Sequence, residues 1–579
     1  MAVLPGCDDP FTCPGSFQEC STGVCIDITT SDEHCGACGE ICDTDQHCDS
    51  SVCVPNLVCT APELNCGNEC VDTDTSLAHC GACDEPCAGG FDDCVGGECA
   101  APLAAIQTYL ESKGDVARDL HVLRDLTYAL TKINDTTFNA DRVLDHVILP
   151  DGRILFVAAQ TEGDFALYMA SPRGGAITRV SGTPVVTDST VQPGIAVSAD
   201  GTKVLYRADA DTTGVVELYA VSLANPGVAV KVNGALVASG EVSRVFALSA
   251  DGRRATYIAD ADTDDVNELY TVDLSAAAPG TPVKLNATAS TDDVWDFEMT
   301  PDGARVIYRL DPTNGDLELH VANVASPGTS DVVGYADSAN GHADGYHLSP
   351  DGTALAFTAG AYLSESLWYV DLTTAAPYTA TRLADGRYES ANDQWHWVDN
   401  DLAFTPDGDH VVFRQVDDAF SFSRLYTVAV ASPGTAAQLS AAGTTSADEV
   451  TDFAISPDGT AVVYRGGGDG AEGGNPRPRF EGPPQVDPYA PALYHVVRTA
   501  ATPTPDLLSE PPVVGNHGIA FDYLFVRDGR VLYRADEDVS HQLDAYLIDP
   551  ASSDLARKVS PPLDQTSDAT DVGYMSRFR

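Results

Sequence analysis

From residue 100 to Arg579 the chain contains no cysteine, although 17 lie between Cys7 and Cys99. A thiol nucleophile is therefore excluded from the last 480 residues. The first 100 residues contain no lysine or arginine beside 19 acidic residues, and the whole chain has 32 Lys and Arg against 86 Asp and Glu. Phosphate recognition needs clustered cations, so nucleic acid and an anionic membrane surface are excluded as partners. No apolar run approaches the 18 residues of a helical membrane span. Neither a GxSxG elbow nor HExxH occurs, and the 13 histidines are scattered. Without those motifs, an elbow hydrolase and a zincin are excluded, and the chain reads as a protein that is not an enzyme.

What is present begins with those cysteines. Seventeen in 99 residues is the density of small exported scaffolds, which build too little core and are held by disulfides in an oxidising compartment. Cys13, Cys20, Cys25, Cys35, Cys38, Cys42, Cys48 and Cys53 are followed, 45 or 46 residues later, by Cys59, Cys66, Cys70, Cys80, Cys83, Cys87, Cys94 and Cys99. This is a tandem duplication of an eight-cysteine unit, over 13–58 and 59–100. Eight cysteines pair off completely but allow 105 connectivities. His34-Cys-Gly-Ala-Cys38 and His79-Cys-Gly-Ala-Cys83 also have zinc-ligand and redox-pair spacing. Even pairing and the missing βαβ pattern favour structural disulfides.

Cys7 is the odd thiol. Leu4-Pro5-Gly6-Cys7 resembles the end of a bacterial lipoprotein signal, which implies a lipid anchor on Cys7, with residues 1–12 as the remnant of a leader. The spacing from Cys66-Gly-Asn-Glu-Cys70 through Cys99 resembles the cysteine-rich repeats of bacterial envelope proteins, related in pattern to the plant stigma-specific protein family. That resemblance implies a knitted extracellular stalk without chemistry.

Asp-Gly pairs end at Gly152, Gly201, Gly252, Gly303, Gly352, Gly408, Gly459 and Gly529, at intervals of 49 to 70 residues. Repeats of this length mean propellers or solenoids. Each pair separates two short apolar runs, as in Phe453–Ser456 and Ala461–Tyr464, and supplies the glycine that a tight hairpin needs. Two further strands, such as Glu268–Val272 and Val283–Leu285, complete a four-stranded blade. Ser349-Pro-Asp-Gly352, Ser456-Pro-Asp-Gly459 and the Glu-Leu-Tyr strands at Leu218 and Leu269 resemble the TolB-type, WD40-like (PD40) propellers. The resemblance covers 101–579 and implies an all-β fold, a single large β-propeller. Ile106–Leu110, Asp119–Leu123 and Ala129–Ile133 align with second to fourth strands, and Asp571–Phe578 with a first strand. Eight complete repeats and a ninth blade split between the termini follow. An eight-bladed ring, or a helix over Ala101–Lys113, is the alternative.

Two groups of acidic residues are candidate sites. Asp209, Asp211 and Glu217, and one repeat later Asp260, Asp262, Asp264, Asp265 and Glu268, link second to third strands; a shorter version is Asp536-Glu-Asp538. Alternating Asp can supply the hard oxygens that calcium takes, or can simply form turns. Asp145, Asp296 and Asp452 begin first strands, which line the channel of a propeller. Carboxylates about 6 Å apart repel by roughly 3 kcal/mol at an effective dielectric near 20, so they need neutralising. Arg207, Arg309, Arg414, Arg465 and Arg534, at the ends of second strands, can do this internally; a bound cation or basic ligand is the alternative. A Gly- and Pro-rich insertion runs from Gly466 to Pro491.

The chain therefore reads as a secreted, periplasmic or cell-surface protein of the bacterial envelope. It is expected to recognise a protein or glycan through an acidic propeller face. A calcium-stabilised structural protein, and less so a propeller hydrolase or lyase, are the alternatives.

Overall fold

The computed structural model describes residues 13–576 except 14–16, 22–23, 44–45, 56–58, 60–62, 67–69, 74–75, 77, 88–92, 96–97, 101–103, 113–114, 124–129, 134–142, 161–163, 173–175, 187–189, 288–291, 312–316, 335–341, 361–363, 390–393, 418–421, 442–448, 467–491, 501, 510–518, 527–528, 536–543, 552–555 and 560–569. Cys7, Asp536–Asp538 and all of the long insertion but Gly466 lie outside the described residues. The chain divides into two compact units, Met1–Ala100 and Ala101–Arg579.

The first unit is built from two-stranded hairpins held by disulfides. Cys13–Cys25, Cys20–Cys38 and Cys35–Cys48 recur one repeat later as Cys59–Cys70, Cys66–Cys83 and Cys80–Cys94, and Cys42 pairs with Cys53. Each bridge closes a loop of 11 to 18 residues. Loops of that length restrict the unfolded chain by about 3 kcal/mol each in the loop-entropy account. The His-Cys-Gly-Ala-Cys motif is a loop lock. The Nδ1 of His34 accepts the Gly39 amide at 2.8 Å, and that of His79 accepts the Asp84 amide at 2.9 Å. Gly36 between the cysteines has φ 74°, and a Cβ there would lie 2.6 Å from the Ser51 carbonyl oxygen. Glycine is thus required twice over, by conformation and by space.

The second unit contains no helix among its described residues and consists of nine antiparallel sheets. Blades 1 to 8 follow in chain order, over 143–179, 191–231, 242–284, 293–332, 342–384, 387–438, 450–507 and 519–558. Seven have four strands, and blade 6 has a fifth, Arg387–Glu389, beside its innermost strand. Blade 9 takes its first strand, Thr570–Ser576, from the C-terminus, and Ala104–Ser112, Asp115–Leu123 and Leu130–Lys132 from the N-terminal side. The region weighed as a helix is a nine-residue strand. Split blade 9 touches both blade 8 and blade 1, which closes the ring and leaves only the short outermost strand of each blade as a sheet edge.

Among the described residues, seven blades repeat the same internal chemistry. An aromatic side chain of the second strand stacks on a ring of the third, as in Tyr206–Tyr219, Tyr257–Tyr270 and Tyr533–Tyr546, with centroids 5.6 to 5.7 Å apart. Such cross-strand pairs contribute about 0.5–1.5 kcal/mol beyond their buried area. The Asp-Gly turn is closed by its own side chains. In blade 5 the Ser349 hydroxyl donates to Asp351 at 2.6 Å, and the Thr353 amide donates to the same carboxylate oxygen at 3.0 Å. The hydroxyl and the amide together hold the Asp351 carboxyl below its ordinary range. Gly352 has φ 69°, and a Cβ there would meet Pro301 of the preceding blade at 2.5 Å. The turn glycine therefore also seats one blade against the next.

Every innermost strand is interrupted by a β-bulge at the same level, shown by register shifts between Val143 and Asp145, Val191 and Ile195, Val242 and Phe246, Val294 and Asp296, Ala343 and Tyr346, Val398 and Leu402, Val450 and Asp452, Ile519 and Tyr523, and Val572 and Met575. A bulge re-aims side chains away from regular alternation. Here it also brings backbones together, since a Cβ on Gly345 of blade 5 would lie 2.5 Å from the Asn400 carbonyl oxygen of blade 6. Gly345→Ala is expected to lower stability by about 1–3 kcal/mol, the range for overpacking. Urea unfolding measures this, and an unchanged midpoint would refute the close approach.

Candidate functional site

The bulges assemble a ring of polar side chains from residues far apart in sequence. Asp145, Asp296 and Asp452 occupy one register position, immediately before the residue that faces the second-strand aromatic. Asp401 of blade 6 holds the same position. Sequence reading missed it, because the bulge there carries two extra residues and shifts the carboxylate relative to its neighbours' pattern.

The recurring arginines lie opposite these carboxylates. Asp296 is the cross-strand partner of Arg309, whose Nε donates at 2.9 Å, and Asp452 is that of Arg465, at 2.9 Å. Each pair is completed by the following blade. The Tyr346 hydroxyl donates to Asp296 at 3.0 Å, and the Tyr523 hydroxyl donates to Asp452 at 2.5 Å. Burial and the adjoining carboxylate keep both tyrosines far above their ordinary titration range, so they act as donors. The arginines also stitch blades directly. Arg207 donates to the Val242 carbonyl at 2.8 Å, Arg414 to the Val450 carbonyl at 2.9 Å, and Arg309 to that of Asp344. Asp145 reaches the next blade through the Gly194 amide at 2.8 Å.

Asp401 departs from this pattern. The next blade presents Phe453, not a tyrosine, at the corresponding position, so no hydroxyl reaches it from there. Its ion pair with Arg414, at 3.2 Å, is shared with Asp399, which is closer at 2.6 Å. Burial, with the charges of Asp399 and Asp452, raises the Asp401 carboxyl above the carboxylate range despite Arg414. Burial likewise raises Asp452, against the pull of Tyr523 and Arg465. Two blades back, Glu298 of blade 4 accepts the Leu348 amide and the His347 ring nitrogen Nδ1 of blade 5, both at 2.7 Å. That contact raises the His347 ring above its ordinary value, with Asp401 adding to the same effect. Nothing near His347 in the sequence marks this pairing; only the ring places it between two carboxylates.

The acidic loops of blades 2 and 3 are organised around lysine. Lys231, on the outermost strand of blade 2, lies 2.8 Å from Glu217 and 3.1 Å from Asp211. Lys284 in blade 3 lies 3.3 Å from Glu268 and 3.5 Å from Asp262. Asp209 accepts the Thr190 and Gly214 amides, and Asp260 accepts the Glu241 amide, so both pin neighbouring loops. Asp264 is exposed, as is Asp265, which takes the left-handed conformation of the turn with φ 60°. The two described loops considered for calcium thus each carry an internal cation. Among the described residues, the one group of three metal-type ligand atoms within 4.8 Å is Cys35, Cys42 and Cys53, whose sulfurs are in disulfides.

Two outcomes follow. Lys284→Met leaves the fully buried Glu268 carboxylate without its cation and is expected to cost about 3–5 kcal/mol in thermal or urea unfolding. Recovery of that loss by millimolar calcium would show that the loop takes a metal in place of the ammonium. For Asp401, whose folded-state pKa is raised, the ionised form is disfavoured by folding and the penalty is present above that pKa. Asp401→Asn should therefore melt higher than the unsubstituted protein at pH 8. The gap should close as pH falls through the raised pKa, and a gap that widens in acid would contradict the assignment.

No protein-family model matches the chain, and no curated protein matches it. Solved structures share its fold at low identity. TolB from Acinetobacter baumannii is 14% identical over 46% of this chain and 61% of that one, with a TM-score of 0.27, so the match spans about three fifths of that protein. An oligogalacturonate lyase from Vibrio parahaemolyticus is 13% identical over 70% of this chain and 97% of that one, with a TM-score of 0.37. A puromycin-hydrolyzing peptidase from Mycobacterium tuberculosis is 14% identical over 63% and 58%, with a TM-score of 0.36. These likenesses show the fold alone. They correct one expectation: a chain of this architecture cannot be set down as a non-enzyme for want of familiar motifs, because a lyase and a peptidase stand among the structures like it.

Proposed function

We propose that the propeller is an extracytoplasmic recognition module that takes a basic segment of a protein partner at its carboxylate-bearing bulge ring. The observation that carries this reading is the incomplete neutralisation at Asp399 and Asp401, where two carboxylates share one guanidinium. A carboxylate whose charge is disfavoured by burial and by the like charges of Asp399 and Asp452 gains from any cation that arrives. The net charge of -54 adds a long-range field that steers a basic partner and rejects an acidic one. Extracytoplasmic maturation agrees with the disulfide framework of the first unit, since such frameworks persist in oxidising compartments. In this reading the two cysteine modules serve as a spacer between the propeller and the cell.

The test uses the full chain and a partner recovered by cross-linking in the native envelope. Asp401→Asn combined with Glu298→Gln should weaken that partner by about tenfold, a loss of roughly 1.4 kcal/mol, and raising salt from about 50 to 500 mM should weaken it as well. A partner held equally well by both proteins at both salt concentrations would overturn the reading.

A further inference from the structure

Trp295 is the residue that the blade 4 bulge expels from the strand ladder, between Val294 and Asp296, and its side chain is 58% exposed. In blades 1 and 7 this place is taken by Leu144 and Thr451. The ring is not simply loose on the surface. Its Nε1 donates to the Asp311 carboxylate at 3.3 Å, which fixes one edge of the indole beside an anion. The charges around it have one predominant sign. Asp292, Asp293, Asp296 and Asp311 lie at this end of the strand pair, with Arg309 already committed to Asp296.

A fixed indole face beside carboxylates favours one class of ligand. A cation over the ring is attracted by its quadrupole, and the surrounding carboxylates add to that attraction. An anionic group would meet repulsion from Asp292, Asp293 and Asp311, Asp296 being already paired with Arg309. Tryptophan is the aromatic residue best suited to this contact. Guanidinium groups also stack flat on aromatic faces, which ammonium groups do not.

We infer that Trp295 is the anchor for an arginine side chain of the partner's basic segment, packed on the indole face with Asp311 and Asp293 beside it. This rests on the recognition reading proposed above and adds to it a specific contact on blade 4, separate from Asp401 on blade 6.

The experiment uses the full chain with labelled indole nitrogens. The peptide acetyl-Arg-Gly-Arg-amide is titrated in low salt, alongside the same peptide with citrulline replacing arginine and a neutral maltohexaose. Trp295→Phe assigns the Nε1 resonance. The arginine peptide should move the Trp295 signal, and Trp295→Ala should weaken its binding by about 3- to 30-fold, the range for cation–π contacts. Trp295→Phe should recover part of that loss. The ring is exposed, so both variants should melt as the unsubstituted protein does. Equal affinity in Trp295→Ala would overturn the inference, as would an equal response to the citrulline peptide or a response to maltohexaose alone. If Asp401→Asn weakens the arginine peptide while Trp295→Ala does not, the anchor fails and the recognition reading stands. If no salt-dependent binding of the arginine peptide occurs in any form, both fall.

Discussion

Antiparallel pairing between Thr570–Ser576 and Ala104–Ser112 is the contact on which the propeller depends. It joins segments separated by more than 450 residues, with Thr570 opposite Leu110 and Ser576 opposite Ala105. Without it, blade 9 would lack its innermost strand and two blade faces would lose their neighbour. The loop that this pairing closes is long, but closure entropy grows only slowly with length, so one strand can hold the ring. Ring closure must wait for Thr570–Ser576, however, because that strand completes a sheet begun at Ala104.

The blades are held to one another by polar contacts as much as by apolar ones. Between consecutive blades lie buried leucine, valine and aromatic side chains, such as Leu149, Val204 and Tyr206 at the first seam. Across the innermost strands, arginine, aspartate and tyrosine form clasps that satisfy buried charge with charge and hydroxyl. Buried ion pairs contribute little net stability after desolvation but strongly disfavour misregistered alternatives, because a slipped strand would strand a charge. The bulges make these clasps possible. By adding one or two residues to every innermost strand, they turn side chains along the ring that regular alternation would bury. The same device releases Trp295 and Asp401 from purely structural duty.

How far the chain could be read before its structure depended on whether a feature was local. The Asp-Gly hairpins, the four-strand period and the tandem cysteine units are local patterns, and each was legible. The split ninth blade was legible too, because strand types repeat and the leftover segments at the two ends complete one set. Asp145, Asp296 and Asp452 were picked out as the starts of first strands, whereas each lies at the bulge inside its strand, because the strand pairing begins two or three residues earlier. Asp401 was hidden by a longer bulge, and His347 by having its partners on neighbouring blades. The acidic loops were recognised as carboxylate clusters, but Lys231 and Lys284 come from strands 14 and 16 residues beyond Glu217 and Glu268, and nothing in the loops announces them.

The chain by itself determined strand period, turn chemistry, the disulfide-rich character of its first hundred residues and a net charge of -54, since these follow from residue type and near-neighbour spacing. Tertiary structure alone decided which carboxylates keep a private counter-ion. Asp296 and Asp452 each receive an arginine and a tyrosine, whereas Asp401 shares Arg414 with Asp399 and faces Phe453. That distinction arises because the electrostatic environment of a channel residue is set by the blades on either side, about fifty residues away along the chain, and only ring closure brings those side chains within a few ångströms.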